Sequence, residues 1–293
     1  MKRIDFSLEN MPERNEGLTL ALGNFDGIHQ GHQRLFVRAM EQARADAAAL
    51  FFETPFGEGK VLTSVDDKCR FALSSRLDAV YVLHNDASLF ALSPEEFMTR
   101  VLLPLGVKRV VVGEDFRFGH KASGAPKDLE KYFEVTVEPL YKINDEKVAS
   151  SSIKGYLAQG EILKATEALG HTYEVQGTVV EGFHNGSKLG YPTANIALLA
   201  DYVLPKCGVY AGVCYISGIA YRAIINVGRN PTIGLLNEDI IEAHLLDYDA
   251  DCYGKRIYCS FLAFLREERR FESLDELKEQ LSRDEFLLRD VLA

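Results

Sequence analysis

The sequence predicts two folds in one chain, an α/β domain built on a parallel sheet and then a small all-β domain followed by a C-terminal helix. Three observations predict it. The first half alternates short apolar runs with helical stretches, and strands alternating with helices imply a parallel sheet. From about Tyr173 the texture changes to strand-like runs separated by turn signals, which fits a compact antiparallel barrel or sandwich. At 293 residues the chain also exceeds the size at which one hydrophobic core stops growing. Two domains are therefore expected, residues 1–169 and 170–293, with residues 157–171 as the connector.

The elements follow in order. LTLAL (18–22), LFF (50–52), AVYVL (79–83), RVVVG (109–113) and VTVEPL (135–140) read as the strands of the first half. From Gly31, residues Leu35, Ala39, Met40, Ala43 and Ala47 recur at helical spacing, and Pro94 after Ser93 marks another helix start. In the second half, residues 173–182, 208–228 and 255–265 are strand-like, with Ser217 and Gly218 as a turn between two runs. Ser273 with Glu276 three positions later is a capping box that opens an amphipathic final helix.

Composition narrows the function classes. A net charge of −10 argues against a general nucleic-acid binder, so an anionic substrate must be held by local positive charge and backbone donors. Five widely spaced cysteines without a CxxC pair suggest neither a disulfide framework nor a zinc site, and read as reduced packing thiols. The first residues, MKRIDFSLEN, lack an apolar signal core, and no run of about 18 apolar residues occurs, so a cytoplasmic protein without a membrane partner is expected.

The chemistry concentrates in LGNFDGIHQGHQRL (22–35), which puts His29 and His32 three residues apart behind a strand end. In an open α/β sheet, ligands bind at the carboxyl ends of strands, and a helix start offers unpaired N–H groups to an anion. Gly23, Gly27 and Gly31 would let phosphates approach the backbone, and the histidines would donate to an α-phosphate as charge grows on it. Without the surrounding residues, the pair reads equally as ordinary capping histidines or a fortuitous metal site. GNFDGIHQGH as a whole resembles the GxFDGxHxGH signature of the nucleotidyltransferase superfamily that includes the FMN adenylyltransferases. That resemblance implies a Rossmann-like domain and gives phosphate-binding roles to Gly23, Asn24, Phe25, Asp26, Gly27 and Gly31.

Two further stretches belong with it. VVVGEDFRFGHKASG (110–124) is a glycine-flanked, locally basic loop that resembles the GxDFxFG segment of bacterial bifunctional riboflavin kinase and FAD synthetases, which points Asp115 and Arg117 toward a flavin. ASSSIKGYLAQGEI (149–162) resembles their SSTxIR segment, with Ser150, Ser151 and Lys154 as phosphate ligands and a lysine in place of the arginine. Lysine keeps the charge but loses the bidentate fork. The FxPHP stretch of the family appears only as FFETPFGEG (51–59).

The second half carries its own chemistry. GTVVEGFHNGSKLGYPTANI (177–196) spaces Gly182, Gly186 and Gly190 before the oxygen ligands Thr193 and Asn195, a pattern that suits phosphates with Mg²⁺, although glycine spacing alone favours a hairpin loop followed by a Pro-initiated turn. It resembles the riboflavin kinase signature GxVxxGxxxGRxLGxPTAN, with Ser187 at the arginine and Lys188 beside it. Glu242 and His244 share one strand face because the side-chain period is two. IEAHLLDYD resembles the kinase ExHLLDF segment, whose glutamate is the catalytic base, and FLREERRF (264–271) resembles the flavin end of the site, with Arg266 and Glu268. The resemblance implies riboflavin, FMN, FAD, ATP, ADP and pyrophosphate as partners, with flavins as substrate and product and Mg²⁺ arriving with ATP. The alternatives are a monofunctional riboflavin kinase with a weakened first domain and a flavin or nucleotide sensor that turns over neither ligand.

Overall fold

A computed structural model describes residues 2–53, 59–84, 87–181, 193–229, 239–269 and 271–291. The chain divides into two compact units, Met1–Ser150 and Ser151–Ala293.

The first unit is a six-stranded parallel sheet in the order β1-β4-β3-β2-β5-β6. In chain order its elements are β1 (Lys2–Phe6), β2 (Leu18–Leu22), α1 (Gln30–Gln42), β3 (Ala47–Phe52), α2 (Val65–Ser74), β4 (Ala79–Leu83) and the short α3 (Ala87–Phe90). Then come α4 (Pro94–Phe97), which runs on as a wider turn to Leu102, β5 (Val107–Gly113), α5 (Pro126–Leu129), β6 (Glu134–Glu138) and a small hairpin of β7 (Lys142–Ile143) and β8 (Glu146–Lys147). The sheet is covered on both faces, so its central strands are largely apolar, with the buried Thr19 as the exception in β2. Alternate residues of β2 enter different cores: Leu18, Leu20 and Leu22 pack with Leu50 and Tyr81, whereas Ala21 packs with Phe36 and Phe51 under α1. Helix α1 ends at Gln42, and Ala47, read from its spacing as helical, begins β3.

The second unit opens with α6 (Ser150–Gln159, its first residue in the first unit) and α7 (Ile162–Leu169), which occupy the stretch read as a connector. A closed antiparallel barrel follows, in the order β10-β13-β12-β11-β14-β9. Its strands are β9 (Tyr173–Val180), β10 (Thr193–Leu198), β11 (Gly208–Ile216), β12 (Ile219–Arg229), β13 (Asp239–Leu245) and β14 (Arg256–Arg266), and α8 (Leu274–Val291) closes the unit. Ser217 (φ 51°) and Gly218 (φ 81°) make the tight turn between β11 and β12, with the positive φ at both positions that a type I′ hairpin loop requires. Leu288 of α8 is fully buried against Val209, Ala211, Ile224 and Leu246. Cys214 and Cys259 face each other across β11 and β14 as free thiols, with their sulfurs 3.3 Å apart.

Candidate active sites

The first site forms where the parallel sheet changes direction. From β2 the chain adds β3 and β4 on one side and β5 and β6 on the other, so the carboxyl ends of β2 and β5 flank the switch point at which such sheets bind ligands. The turn after β2 is strained: Phe25 (φ 54°) and Ile28 (φ 39°) occupy the left-handed region that side chains disfavour. Such backbone persists only where its surroundings over-determine it. Here Asp26 Oδ1 accepts from the N–H groups of Leu62 (2.8 Å) and Thr63 (3.2 Å), and the Gly27 N–H donates to Thr63 Oγ1 at 2.9 Å. Ser150 Oγ donates to the Asp26 carbonyl at 2.8 Å, which ties the serine stretch to the motif turn. Phe25 is buried against Phe36, Phe51 and the His32 ring. Phe25, Asp26 and Gly27 therefore hold the turn, while Gly23, Asn24, His29, Gly31 and His32 line a cavity of about 680 Å³.

The two imidazoles stack with centroids 3.7 Å apart and planes 18° apart. Gly31 permits this, since a Cβ there would lie 3.2 Å from the His29 ring and 3.3 Å from Tyr141 Cβ. Neither Nδ1 has a hydrogen-bond partner among the described residues. Burial pushes His29 down to about 4, against the opposing pull of Asp115 and Asp26, with Lys147 adding to the fall. Burial, then the neighbouring His29, then Lys68 drive His32 well below the ordinary histidine range. Both rings are therefore neutral at pH 7, and each keeps one N–H to donate beside the open end of α1.

The rest of the cavity is divided by chemistry. Asp115, Arg117, Lys121, Lys147 and Ser150 are polar lining groups, and Lys147 pairs with Asp115 at 2.6 Å. The cavity also has an aromatic wall of Phe52, Phe97, Phe116 and Phe118, in which Phe116 and Phe118 stack at 5.7 Å. Ser151 and Lys154 continue along α6 and are not lining residues.

The second site lies on the barrel. Ala194, Ile196, Ile225, Val227, Ile241 and Ala243 are buried, whereas the alternating Thr193, Asn195, Asn226 and Glu242 are only partly so, which sets them on the opposite face of their strands. Asn195 and Asn226 both stand opposite Glu242, one on each neighbouring strand, and Thr193 stands opposite His244. Directly opposed residues project to the same side, so Asn195, Glu242 and Asn226 form one polar row across three strands. Asn226 Nδ2 donates to Glu268 Oε1 at 3.2 Å, and Gly228 leaves room for that carboxylate, since a Cβ there would lie 2.7 Å from it. Burial raises Glu242 above the usual carboxylate range, and the charge of Glu268 raises it further.

Arg266 has a different setting. Its guanidinium grips the fully buried Asp284 of α8 through Nε at 3.0 Å and Nη2 at 2.8 Å, and Gln280 also donates to that carboxylate at 2.8 Å. Gly182, Gly186, Lys188 and Gly190 lie outside the described residues. The sequence reading missed the aromatic wall and Lys147, and gave no role to Asn226, although INVGRNPTIG (225–234) resembles a riboflavin kinase segment. The spacing of Phe116 and Phe118 around Arg117 carried a signal for the wall, while Lys147 and Asn226 join their sites only through tertiary structure.

Comparison with known proteins gives the same order of parts. Residues 11–152 match the FAD synthetase family model and residues 169–292 the riboflavin kinase model. The bifunctional riboflavin kinase/FMN adenylyltransferase of Listeria monocytogenes is 33% identical over 91% of this chain and 90% of its own length. That of Escherichia coli is 33% identical over 94% of this chain and 93% of its own. A crystal structure described as a macrolide-efflux protein from Streptococcus pneumoniae has a TM-score of 0.87 at 29% identity, over 98% of this chain and 99% of that one. Among the described residues, no helix of this chain is long and apolar enough to cross a membrane. With both family models matched in order and relatives aligned over nine-tenths of its length, the chain belongs to the bifunctional riboflavin kinase/FMN adenylyltransferase family.

Proposed function

We infer that the two sites carry out successive reactions, with FMN as the product of one and the substrate of the other. The protein phosphorylates riboflavin with ATP to give FMN and ADP, and adenylylates FMN with ATP to give FAD and pyrophosphate. Flavins are substrates and products. The monofunctional alternative is not favoured, since both domains are present.

We assign phosphorylation to residues 170–293 and adenylyl transfer to residues 1–169. In phosphorylation, Glu242 removes the proton of the ribityl 5′-hydroxyl as that oxygen bonds to the γ-phosphorus and the bond to the ADP oxygen breaks. Thr193 and Asn195 would hold Mg²⁺, because they offer hard oxygen donors two residues apart beside Glu242, as a cation that keeps waters and phosphate ligands requires. Bound there, Mg²⁺ would neutralise charge on the ATP phosphates. Gly182, Gly186, Gly190 and Lys188 are proposed from their sequence pattern as the phosphate cradle. Arg266 and Glu268 are assigned to the flavin end, and the Arg266 guanidinium is held to α8 through Asp284.

In adenylyl transfer, an FMN phosphate oxygen bonds to the α-phosphorus of ATP while the bond to pyrophosphate breaks. His29 and His32 donate to the α-phosphate, and Gly23, Asn24, Gly31 and Ser150 surround it. Ser151 and Lys154 are assigned to the departing pyrophosphate. The isoalloxazine ring rests on the aromatic wall, with Asp115 and Arg117 at its polar edge. The observation that carries this half is the neutral, stacked histidine pair lining the cavity at the sheet's switch point.

The test is incubation of the purified protein with riboflavin, ATP and Mg²⁺, with riboflavin, FMN and FAD separated over time. FMN is expected to rise first and FAD to follow. FMN without FAD would sink adenylyl transfer, and no FMN would sink the kinase.

A further inference from the structure

We propose that Lys68, outside every motif above, is a positioning residue for adenylyl transfer, which holds the Asn24 carbonyl in the strained turn and brings its charge to the histidine pair. The inference rests on the adenylyl-transfer reading of that cavity. Lys68 lies in the first turn of α2, and its side chain is buried, with only 3% of the residue exposed. A buried ammonium is unfavourable unless it is hydrogen-bonded, and its Nζ donates to the Asn24 carbonyl at 2.9 Å. Asn24 is a cavity-lining residue and precedes Phe25, the first of the two left-handed side-chain residues in the turn.

The neighbouring residues act in the same direction. Leu62 and Thr63, just ahead of α2, bind Asp26 and Gly27, and the Ser64–Asp67 capping box fixes the start of the helix. One stretch, residues 62–68, thus grips the motif turn at Asn24, Asp26 and Gly27. It also brings the charge of Lys68 to the histidines. The charged or titratable groups acting on His32 are His29, just ahead of α1, and Lys68 from α2, while Asp115, Asp26 and Lys147 act on His29. Burial and His29 drive most of the fall that leaves His32 a neutral donor, and the Lys68 ammonium adds to it in the same direction.

The test uses the full-length protein with Lys68→Met, Lys68→Gln and Lys68→Arg. FAD formation from supplied FMN and ATP is measured as kcat and KM, and riboflavin phosphorylation in the same samples serves as the internal control. The His32 Cε1 proton is followed by NMR through a pH titration. Both neutral variants are expected to lower kcat for FAD formation about ten- to a hundredfold, because small displacements of positioning groups have effects of that order. They are also expected to move the His32 titration to higher pH, with phosphorylation preserved and Lys68→Arg restoring the titration. A titration that stays put in both neutral variants overturns the proposal, as do unchanged FAD formation and parallel loss of both activities. A wild-type protein that makes no FAD would instead refute the adenylyl-transfer reading itself.

Discussion

The two sites use one physical effect in opposite senses. Burial favours the neutral form of any ionisable group, so it lowers the histidines of the parallel-sheet site and raises the glutamate of the barrel site. For His29 and His32 the neutral form is the working one, since it still donates an N–H and two stacked cations would repel. For Glu242 the neutral form is idle, because a base must first lose its proton. Burial therefore secures one site at neutral pH and poises the other, placing its base closer to the pH at which it works.

The comparison breaks if the sites are not separate, and Glu242→Gln tests this with the largest effect. Riboflavin phosphorylation should fall by about 10²–10⁴-fold, the usual contribution of a positioned general base, while FAD formation from supplied FMN persists. The reciprocal change, His29→Ala with His32→Ala, should lower FAD formation by about 10²-fold or more, the scale of a lost transition-state donor, and spare FMN formation. Chromatography of the flavins reads both, and a change that abolished both activities would refute the independence of the sites.

An NMR titration of the free protein sharpens the contrast. His29 should stay neutral from pH 8 downward until about 4, with His32 also neutral across the physiological range. The Glu242 carboxyl carbon should instead report protonation above the ordinary glutamate range. A His29 titration near 6.5 would show that the cavity does not desolvate the ring as its packing implies.

How much of this could be read beforehand depended on where the information sat. The runs at 18–22 and 79–83 coincide with β2 and β4, because central strands buried on both faces are near-continuously apolar, broken in β2 only by the buried Thr19. Edge strand β1, KRIDF, alternates charge with apolar residues and escaped notice, and β3 begins three residues before the LFF run because its alanines carry little signal. The same division holds at the sites. His29, His32 and Asn24 are local in sequence, and Ser150 was found through its own string. Lys68 and the aromatic wall converge from separate elements across the sheet, and no spacing rule connects them. Arg266 has a partner that its string does not announce, Asp284, which lies 18 residues further on in α8.

The smallest expected effect separates the two causes that raise Glu242. Burial comes first and the Glu268 charge second, so Glu268→Gln removes only the lesser one. Glutamine keeps a side-chain oxygen to accept from Asn226 Nδ2, and Gly228 leaves room for it, so the polar row should survive. The acid limb of kcat/KM for riboflavin should then move to lower pH relative to the wild type under the same substrates, where ionisation of ATP cancels. It should still lie above the ordinary carboxylate range, because the burial of Glu242 between two neighbouring strands is untouched. A limb that does not move would mean that Glu268 is too well solvated to act on the base, leaving burial alone to set it.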